Sequence, residues 1–301
     1  MAEHVHFVPV GFDFDRLIQP ISQGSLTADR VLILHSGEDA DDEQAQKFAE
    51  RMVASLERSF KSVLGIDTAH KTLEDIYDYA DVYVFAYTAL FEELQRGNEV
   101  YVNISSMPRT VAFAFATAAG TIAAERPALR ESVHTYYVAP DQYLVLKMFD
   151  QLEAEQNFLK NRLEDQDDQQ VESRLREITE LLETIYEHGI TKGAKAMNGD
   201  LHVEFPSPPV SGLREFEGEI LSYLQRHNGA RSVAQLAKGL ADQVNTEFND
   251  SFRSRVQYTV STLDDEGYIE RTRVGNRNET RLSTMGKLWS RTHGEEFAER
   301  Q

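Results

Sequence analysis

Hydrophobic positions along this chain follow two periods that alternate. Five short apolar runs are rich in β-branched and aromatic residues and read as strands: 4–10, 31–35, 63–67, 100–104 and 133–138. Between them apolar residues recur every three or four positions, which predicts helices. Leu17, Ile18 and Ile21 mark the first, and Ala45, Phe48, Ala49, Met52 and Leu56 the second, within 41–60. A long third helix carries Leu73, Ile76, Tyr77, Ala80, Val84, Tyr87, Leu90, Phe91 and Leu94. A fourth, at 110–119, is apolar almost all round and is expected to be buried. Strands alternating with helices predict an α/β fold, a Rossmann-like parallel sheet with helices on both faces. Ligands of such sheets sit beyond the carboxyl ends of the strands, where strand order reverses. Three loops fall at those ends: 11–16, 35–37 and 105–109.

The stretch 97–120, GNEVYVNISSMPRTVAFAFATAAG, joins the fourth strand to the fourth helix. Pro108 suits the first turn of a helix, where no backbone donor is needed. A strand, a serine loop and a helix N-terminus together form a geometry that collects anions. Ser105 and Ser106 supply hydroxyls, and Arg109 a charge that grips phosphate bidentately. The same stretch also reads as a plain strand-to-helix turn. Gly11, directly after the first strand, permits close approach to a ligand or simply a tight turn.

Further along, 141–187 is helical with an acidic break at 164–168. Its second half carries a narrow apolar stripe, Val171, Leu175, Ile178, Leu182 and Ile185, suited to packing on the first domain or on a partner helix. The segment 189–209 holds glycines, a short strand candidate at 201–205, and Pro206, Pro208 and Pro209, so the domain boundary is placed there. Three helices then follow. The first carries Phe216, Ile220, Leu221 and Leu224 and ends at Asn228-Gly229; the second opens on a capping pattern at Ser232–Gln235. The third, capped by Asp250, turns Phe252, Val256, Val260 and Leu263 inward and closes at Gly267. Two short strands, 268–271 and 280–282, flank a polar loop, and a last helix carries Leu288 and Trp289. Three helices followed by a hairpin is the order of a winged helix-turn-helix.

Composition narrows the chemistry. The chain has 301 residues, 31 basic and 50 acidic, for a net charge of −19. From residue 211 onward there are 13 basic and 14 acidic residues, so the C-terminal segment is near neutral inside a very acidic protein. Lysine is scarce, at nine positions, and the pattern fits solubility in a salt-rich cytoplasm. Zero cysteines exclude disulfides and thiolate metal sites. There is no signal peptide pattern and no apolar run long enough for a bilayer, so a cytoplasmic protein without membrane contact is expected. Neither G-x-G-x-x-G after the first strand nor G-x-x-x-x-G-K-[ST] occurs, and no cofactor is expected. His4 and His6 alternate along a strand and do not suggest a shared metal.

On the third C-terminal helix, Arg253, Ser254, Arg255, Gln257 and Tyr258 fall outside the apolar stripe. Arginine and glutamine read base edges in the major groove. Arg271, Arg273, Arg277 and Arg281 decorate the hairpin, where a basic wing meets phosphates. Alternatively these arginines form a solvated face or pair with Asp264, Asp265 and Glu266.

The segments HFVPVGFDFDR and NEVYVNISSMPRTVAFA resemble the CARF domain, the CRISPR-associated Rossmann fold. With the C-terminal winged helix, the chain resembles CARF–winged-helix transcriptional regulators of a haloarchaeal branch. The family's loop after the fourth strand reads Thr-Gly-Gly-Thr-Lys/Arg and binds cyclic oligoadenylate across a dimer two-fold. Here Ser105, Ser106, Met107, Pro108 and Arg109 stand at those positions, keeping the first hydroxyl and the final basic residue but not the glycines. The resemblance implies a CARF-like ligand-sensing domain at 1–140, a helical connector at 141–210 and a winged helix-turn-helix at 211–301. It implies a ligand-responsive, DNA-binding homodimer whose partners are double-stranded DNA and a small anionic ligand, a cyclic oligonucleotide or another nucleotide. The expected ligand residues are Gly11, Phe12, Arg16, His35, Ser36, Ser105, Ser106, Met107, Arg109 and Thr110. Two alternatives stand beside this: a ring-nuclease-like enzyme cleaving cyclic oligoadenylate, and a ligand-independent DNA-binding or scaffold protein. No nucleophile–base pair marks a catalytic site.

Overall fold

The computed structural model describes residues 2–11, 13–36, 43–165, 168–189, 213–274 and 277–298. Five parallel strands, β1 (His4–Pro9), β2 (Arg30–Ser36), β3 (Asp67–Leu73), β4 (Glu99–Asn103) and β5 (Val133–Tyr136), hydrogen-bond in the order β3-β2-β1-β4-β5. Strand order reverses between β1 and β4. Side chains alternate across a strand, so Val5, Phe7, Leu32, Leu34, Val100 and Val102 share one face. Helices α3 (Tyr79–Gln95) and α4 (Arg109–Glu125) cover that face. Val8, Val31 and Ile33 face the other way, under α1 (Phe14–Ser22) and α2 (Glu43–Glu57). This is the Rossmann-like layering that the alternating periods predict.

The third strand lies further along than its apolar run suggests. Residues 63–67 were expected as the strand, but Arg58–Val63 continues from α2 as a wide helical turn, and Gly65 adopts a left-handed φ of 70°. Leu64 and Ile66 pack into the α1/α2 core rather than pairing in the sheet. The strand itself, DTAHKTL, lies at the sheet edge, where one partner and partial exposure admit polar residues. Leu73 therefore ends β3, and α3 starts only at Tyr79, capped by Asp78, whose side chain accepts from Asp81 N at 3.0 Å.

On the α1 side of the sheet, β1, β4 and β5 carry rings in register. His6 pairs with Tyr101 and Tyr101 with His134. The His6 and Tyr101 rings stack at 4.7 Å, and those of Tyr101 and His134 at 4.5 Å. His6 is fully buried, with Nε2 2.9 Å from the Thr27 carbonyl and Nδ1 3.3 Å from the Tyr136 hydroxyl.

The C-terminal segment builds a winged-helix arrangement: α7 (Glu215–Arg226), α8 (Val233–Gln243), α9 (Asp250–Asp265), the antiparallel hairpin β6 (Ile269–Val274) and β7 (Arg277–Leu282), and α10 (Thr284–Ala298). Its core gathers Ile220, Leu221, Leu224, Leu236, Leu240, Val256, Val260, Leu263 and Trp289. The N-cap of α9 is Asn249 rather than the expected Asp250; its side chain accepts from Phe252 N at 2.9 Å. Ala230, between α7 and α8, exchanges two 2.8 Å backbone bonds with Thr280 and so adds a bridge to the hairpin.

The first compact unit draws on residues 1–138 and 203–301, the second on 139–202. The second contains α5 (Leu144–Asp165) and α6 (Gln169–His188), whose N-cap Asp168 accepts from Gln170 N and Val171 N. Leu159, Ile178 and Leu182 form its core with Leu152, Val171 and Leu175. Most of the stripe expected from sequence is thus consumed between α5 and α6. The strand candidate at 201–205 and the proline segment lie outside the described residues.

Burial pulls the His6 pKa from 6.5 down to about 4, against the opposing pull of the Thr27 carbonyl. The folded state therefore binds this proton less readily than the unfolded chain. Its contribution is complete above pH 6.5 and is lost as pH falls toward 4. At roughly 1.4 kcal/mol per pH unit, the loss is about 3 kcal/mol. Denaturant unfolding from pH 7 to pH 4 should show His6→Gln losing that much less stability than the unsubstituted protein. Equal losses would remove His6 as the source.

Candidate functional site

The loops at the reversal point are tied by a chain of hydrogen bonds. Asn103, at the end of β4, is fully buried; its Nδ2 donates to the Arg16 carbonyl at 3.1 Å and its Oδ1 accepts from Ser105 N at 2.9 Å. Ser105 Oγ accepts from Val138 N at 2.7 Å. Ser106 Oγ donates to Asp13 Oδ2 at 2.9 Å, and Arg16 Nη1 donates to the same oxygen at 2.7 Å. Arg16 Nε donates to the Val138 carbonyl at 2.7 Å, and its guanidinium lies 5.0 Å from the centre of the Tyr137 ring. Gly11 makes the closeness of these loops possible. A Cβ there would stand 2.5 Å from Ser106 Cβ and 2.6 Å from the Ser106 carbonyl oxygen, inside contact distance. The close approach that glycine permits is therefore to the neighbouring loop.

Of the expected ligand residues, Ser105, Ser106 and Arg16 belong to this internal chain. Met107 is buried and packs in the α3/α4 core, and Thr110 is buried in the first turn of α4. Arg109 is exposed at the start of α4, whose N-cap, Pro108, provides no side-chain bond to the helix amides. Phe12 lies outside the described residues.

Beside this network a cavity of about 640 Å³ opens at the carboxyl ends of β1, β2 and β3. Gly11, His35 and Ser36 line it, with Pro108 and Val111 from the first turn of α4. The rest of the wall comes from residues that sequence reasoning did not single out as ligand contacts. Gln46, Ala49, Glu50 and Val53 stand at i, i+3, i+4 and i+7 on α2, together with Phe48. Thr72 and Leu73 end β3, and Ile76 and Tyr77 precede α3. The α2 spacing was legible, but as an amphipathic helix face; that the face borders a cavity depends on where α2 docks. His35 sits with Nε2 3.4 Å from Thr72 Oγ1 and Nδ1 3.3 Å from the Ser36 carbonyl. Among the described residues the wall is largely apolar, carries the carboxylate of Glu50, and includes no lysine or arginine. Phe48 and Tyr77 are each 42% exposed, as fits residues at its mouth. Among the described residues no group of three or more His, Cys, Asp and Glu is placed to hold a metal ion.

The second candidate surface is on the winged-helix arrangement. Arg253, Ser254, Gln257 and Tyr258 are exposed on α9, Tyr258 at 72%. Arg255 is exposed but lies 3.8 Å over the Phe216 ring. On the hairpin, Arg271 is 4.0 Å from Asp264, Arg281 is 3.4 Å from Glu279, and Arg273 is exposed. The side chain of Arg277 lies outside what is described. So the expected pairing with the acidic run 264–266 forms at Arg271, Arg281 pairs instead with Glu279 on its own strand, and the α9 face stays open. Among the described residues no helix is long and apolar enough to cross a membrane.

Residues 4–143 match the protein family described as "HFX_2341_N:-like, N-terminal". Residues 147–211 match the family described as "Domain of unknown function (DUF7776)". No curated protein matches the chain. Among solved structures, a similar chain is Enterococcus italicus Csm6 bound to cyclic hexa-2'-fluoro-hexa-dAMP, at a TM-score of 0.36 and 13% identity, covering 89% of this chain and 78% of that one. A likeness of that size carries no argument about what this chain binds.

Proposed function

We propose that this protein is a ligand-responsive, DNA-binding regulator that works as a homodimer. A CARF-like sheet domain takes a small molecule at the carboxyl edge of its strands, and the winged helix binds duplex DNA. The observation that carries the reading is the cavity of about 640 Å³ at the strand ends, walled on one side by the first turn of α4. Its apolar wall suits the flat body of a nucleotide-like ligand. The anionic part of such a ligand would meet Arg109 and the uncapped amides of α4 just outside, a pairing of helix dipole and guanidinium. Cyclic oligoadenylate is one member of that class.

A second reading has its own support. Ser105, Ser106 and Arg16 spend their polar atoms on each other's loops, and Met107 fills the core where a glycine would leave backbone open. On that reading the loop is structural and the protein binds DNA without a ligand.

Calorimetric titration with cyclic oligoadenylates, mononucleotides and phosphorylated metabolites separates the two. Ala49→Trp, filling the cavity, should abolish binding. Arg109→Ala should weaken it about ten- to hundred-fold, the equivalent of roughly 1.5–3 kcal/mol for a charge-assisted contact. Arg109 is exposed, so folding should stay intact. Silence from every compound decides for the ligand-independent reading.

For DNA, gel shifts on the gene's own upstream region are the measurement. Arg253→Ala and Gln257→Ala should lower discrimination between sequences, whereas Arg273→Ala should weaken all duplexes alike and reduce the salt slope by about one unit. Half-sites should repeat with the spacing of a two-fold dimer, and light scattering should return twice the chain mass. A triple Arg253, Arg255 and Arg273 alanine variant that binds unchanged would sink the DNA assignment.

A further inference from the structure

Helix α10 belongs to two cores at once. Met285 and Trp289, 8% and 5% exposed, pack in the winged-helix core. Leu288, 1% exposed, packs in the core between the sheet and α3/α4. Successive residues on a helix point about 100° apart, so neighbours can serve two different cores. One turn further, the His293 ring stacks on Trp289, centroids 4.6 Å apart and planes 6° from parallel. His293 Nε2 lies 2.8 Å from the Tyr87 hydroxyl on α3 and 3.1 Å from Glu125 Oε2, the last residue of α4. Tyr87 donates to the same Glu125 oxygen at 2.9 Å. The side chains of His293 and Glu125 are 6% and 5% exposed. Burying a carboxylate is costly unless it is hydrogen-bonded, so breaking this cluster leaves a buried charge short of partners. Closer to the strand ends, Arg291 on α10 donates to Asp81 in the first turn of α3, and Tyr77 before α3 and Val111 in the first turn of α4 border the cavity.

We propose that α10 is a coupling helix, locked to α3 and α4 by the Tyr87–Glu125–His293 cluster so that the sheet and the winged helix open and move as one body. The loss of one module's packing is then felt in the other. Where the ligand-responsive reading also holds, the same lock carries a shift of α3 or α4 at the cavity to the DNA-facing helix α9.

A hydrogen-exchange cycle on the full chain tests the lock with neither ligand nor DNA in the tube, so its outcome is independent of the regulator reading. Leu240→Ala sits in the winged-helix core, fully buried and away from the cluster. A cavity there should speed exchange of the slowest α7 and α9 amides by on the order of 30-fold or more. In the otherwise unsubstituted protein the slowest β1 and β4 amides should speed up by a similar factor, because sub-global opening follows cooperative units. In a His293→Ala or Tyr87→Phe background, the effect of Leu240→Ala should stay within α7–α9. Tyr87→Phe removes a single hydroxyl and carries the test if His293→Ala does not fold. Sheet amides that ignore Leu240→Ala in the unsubstituted background would overturn the proposal. So would equal transmission in the two cluster variants.

Discussion

The packing of α3 and α4 on the parallel sheet is the contact on which the rest of this molecule depends. Helix α3 presents Tyr79, Tyr83 and Tyr87 at four-residue spacing, all buried. Helix α4 answers with Ala114, Ala118 and Ala119, small residues that let large rings interdigitate to the density of a protein interior. Tyr83 finds a buried partner in Thr121 at 3.3 Å. Burial pushes the Tyr83 and Tyr87 phenols well above their ordinary range, so both stay neutral and able to donate. This pair of helices closes one face of the sheet, builds a wall of the cavity where it begins, and grips α10 along the first half of α3 and at the last residue of α4.

At the reversal between β1 and β4, polar residues do a different job. Asn103 is buried, and an unpaired amide there would be costly, yet it is satisfied by loop atoms from both sides. Ser105, Ser106, Asp13 and Arg16 extend that satisfaction to Val138. The result is a rigid floor. The open volume is displaced toward the ends of β2 and β3, where the wall is apolar and aromatic. This edge therefore divides into an apolar chamber and a helix start bearing one arginine, with the serines holding the loops in place.

Charge is distributed to match. Most of the net charge of −19 lies before the winged helix, which is near neutral. Neutrality comes from near-equal numbers of basic and acidic residues, 13 and 14, and several arginines are engaged locally: Arg271 by Asp264, Arg281 by Glu279 and Arg255 over the Phe216 ring. If the proposed DNA binding holds, such a surface would supply limited long-range attraction for a phosphate backbone, and discrimination by the open α9 face would weigh more than bulk electrostatics.

What the sequence determined by itself was whatever rests on local periodicity and on turn chemistry. The strands β1, β2, β4 and β5, the apolar helix α4, the three C-terminal helices and the hairpin could all be read from period and punctuation. Each is an element whose buried face is continuous in the chain. Where an apolar run served a core other than the one its neighbours suggested, reading failed. Leu64 and Ile66 looked like a strand because apolar runs mark burial without saying under which layer, and the true edge strand, half exposed, carries too few apolar residues to announce itself. The site divides in the same way. Gly11, His35 and Ser36 were legible because loops after parallel strands converge by topology alone. The α2 wall of the cavity and the partners of Ser105, Ser106 and Arg16 were decided by tertiary docking, since no local rule states which distant atom satisfies a hydroxyl or a guanidinium. The Tyr87–Glu125–His293 cluster is the extreme case. Its members are separated by up to 206 positions, and only the folded chain, which spends α10 on two cores, brings them together.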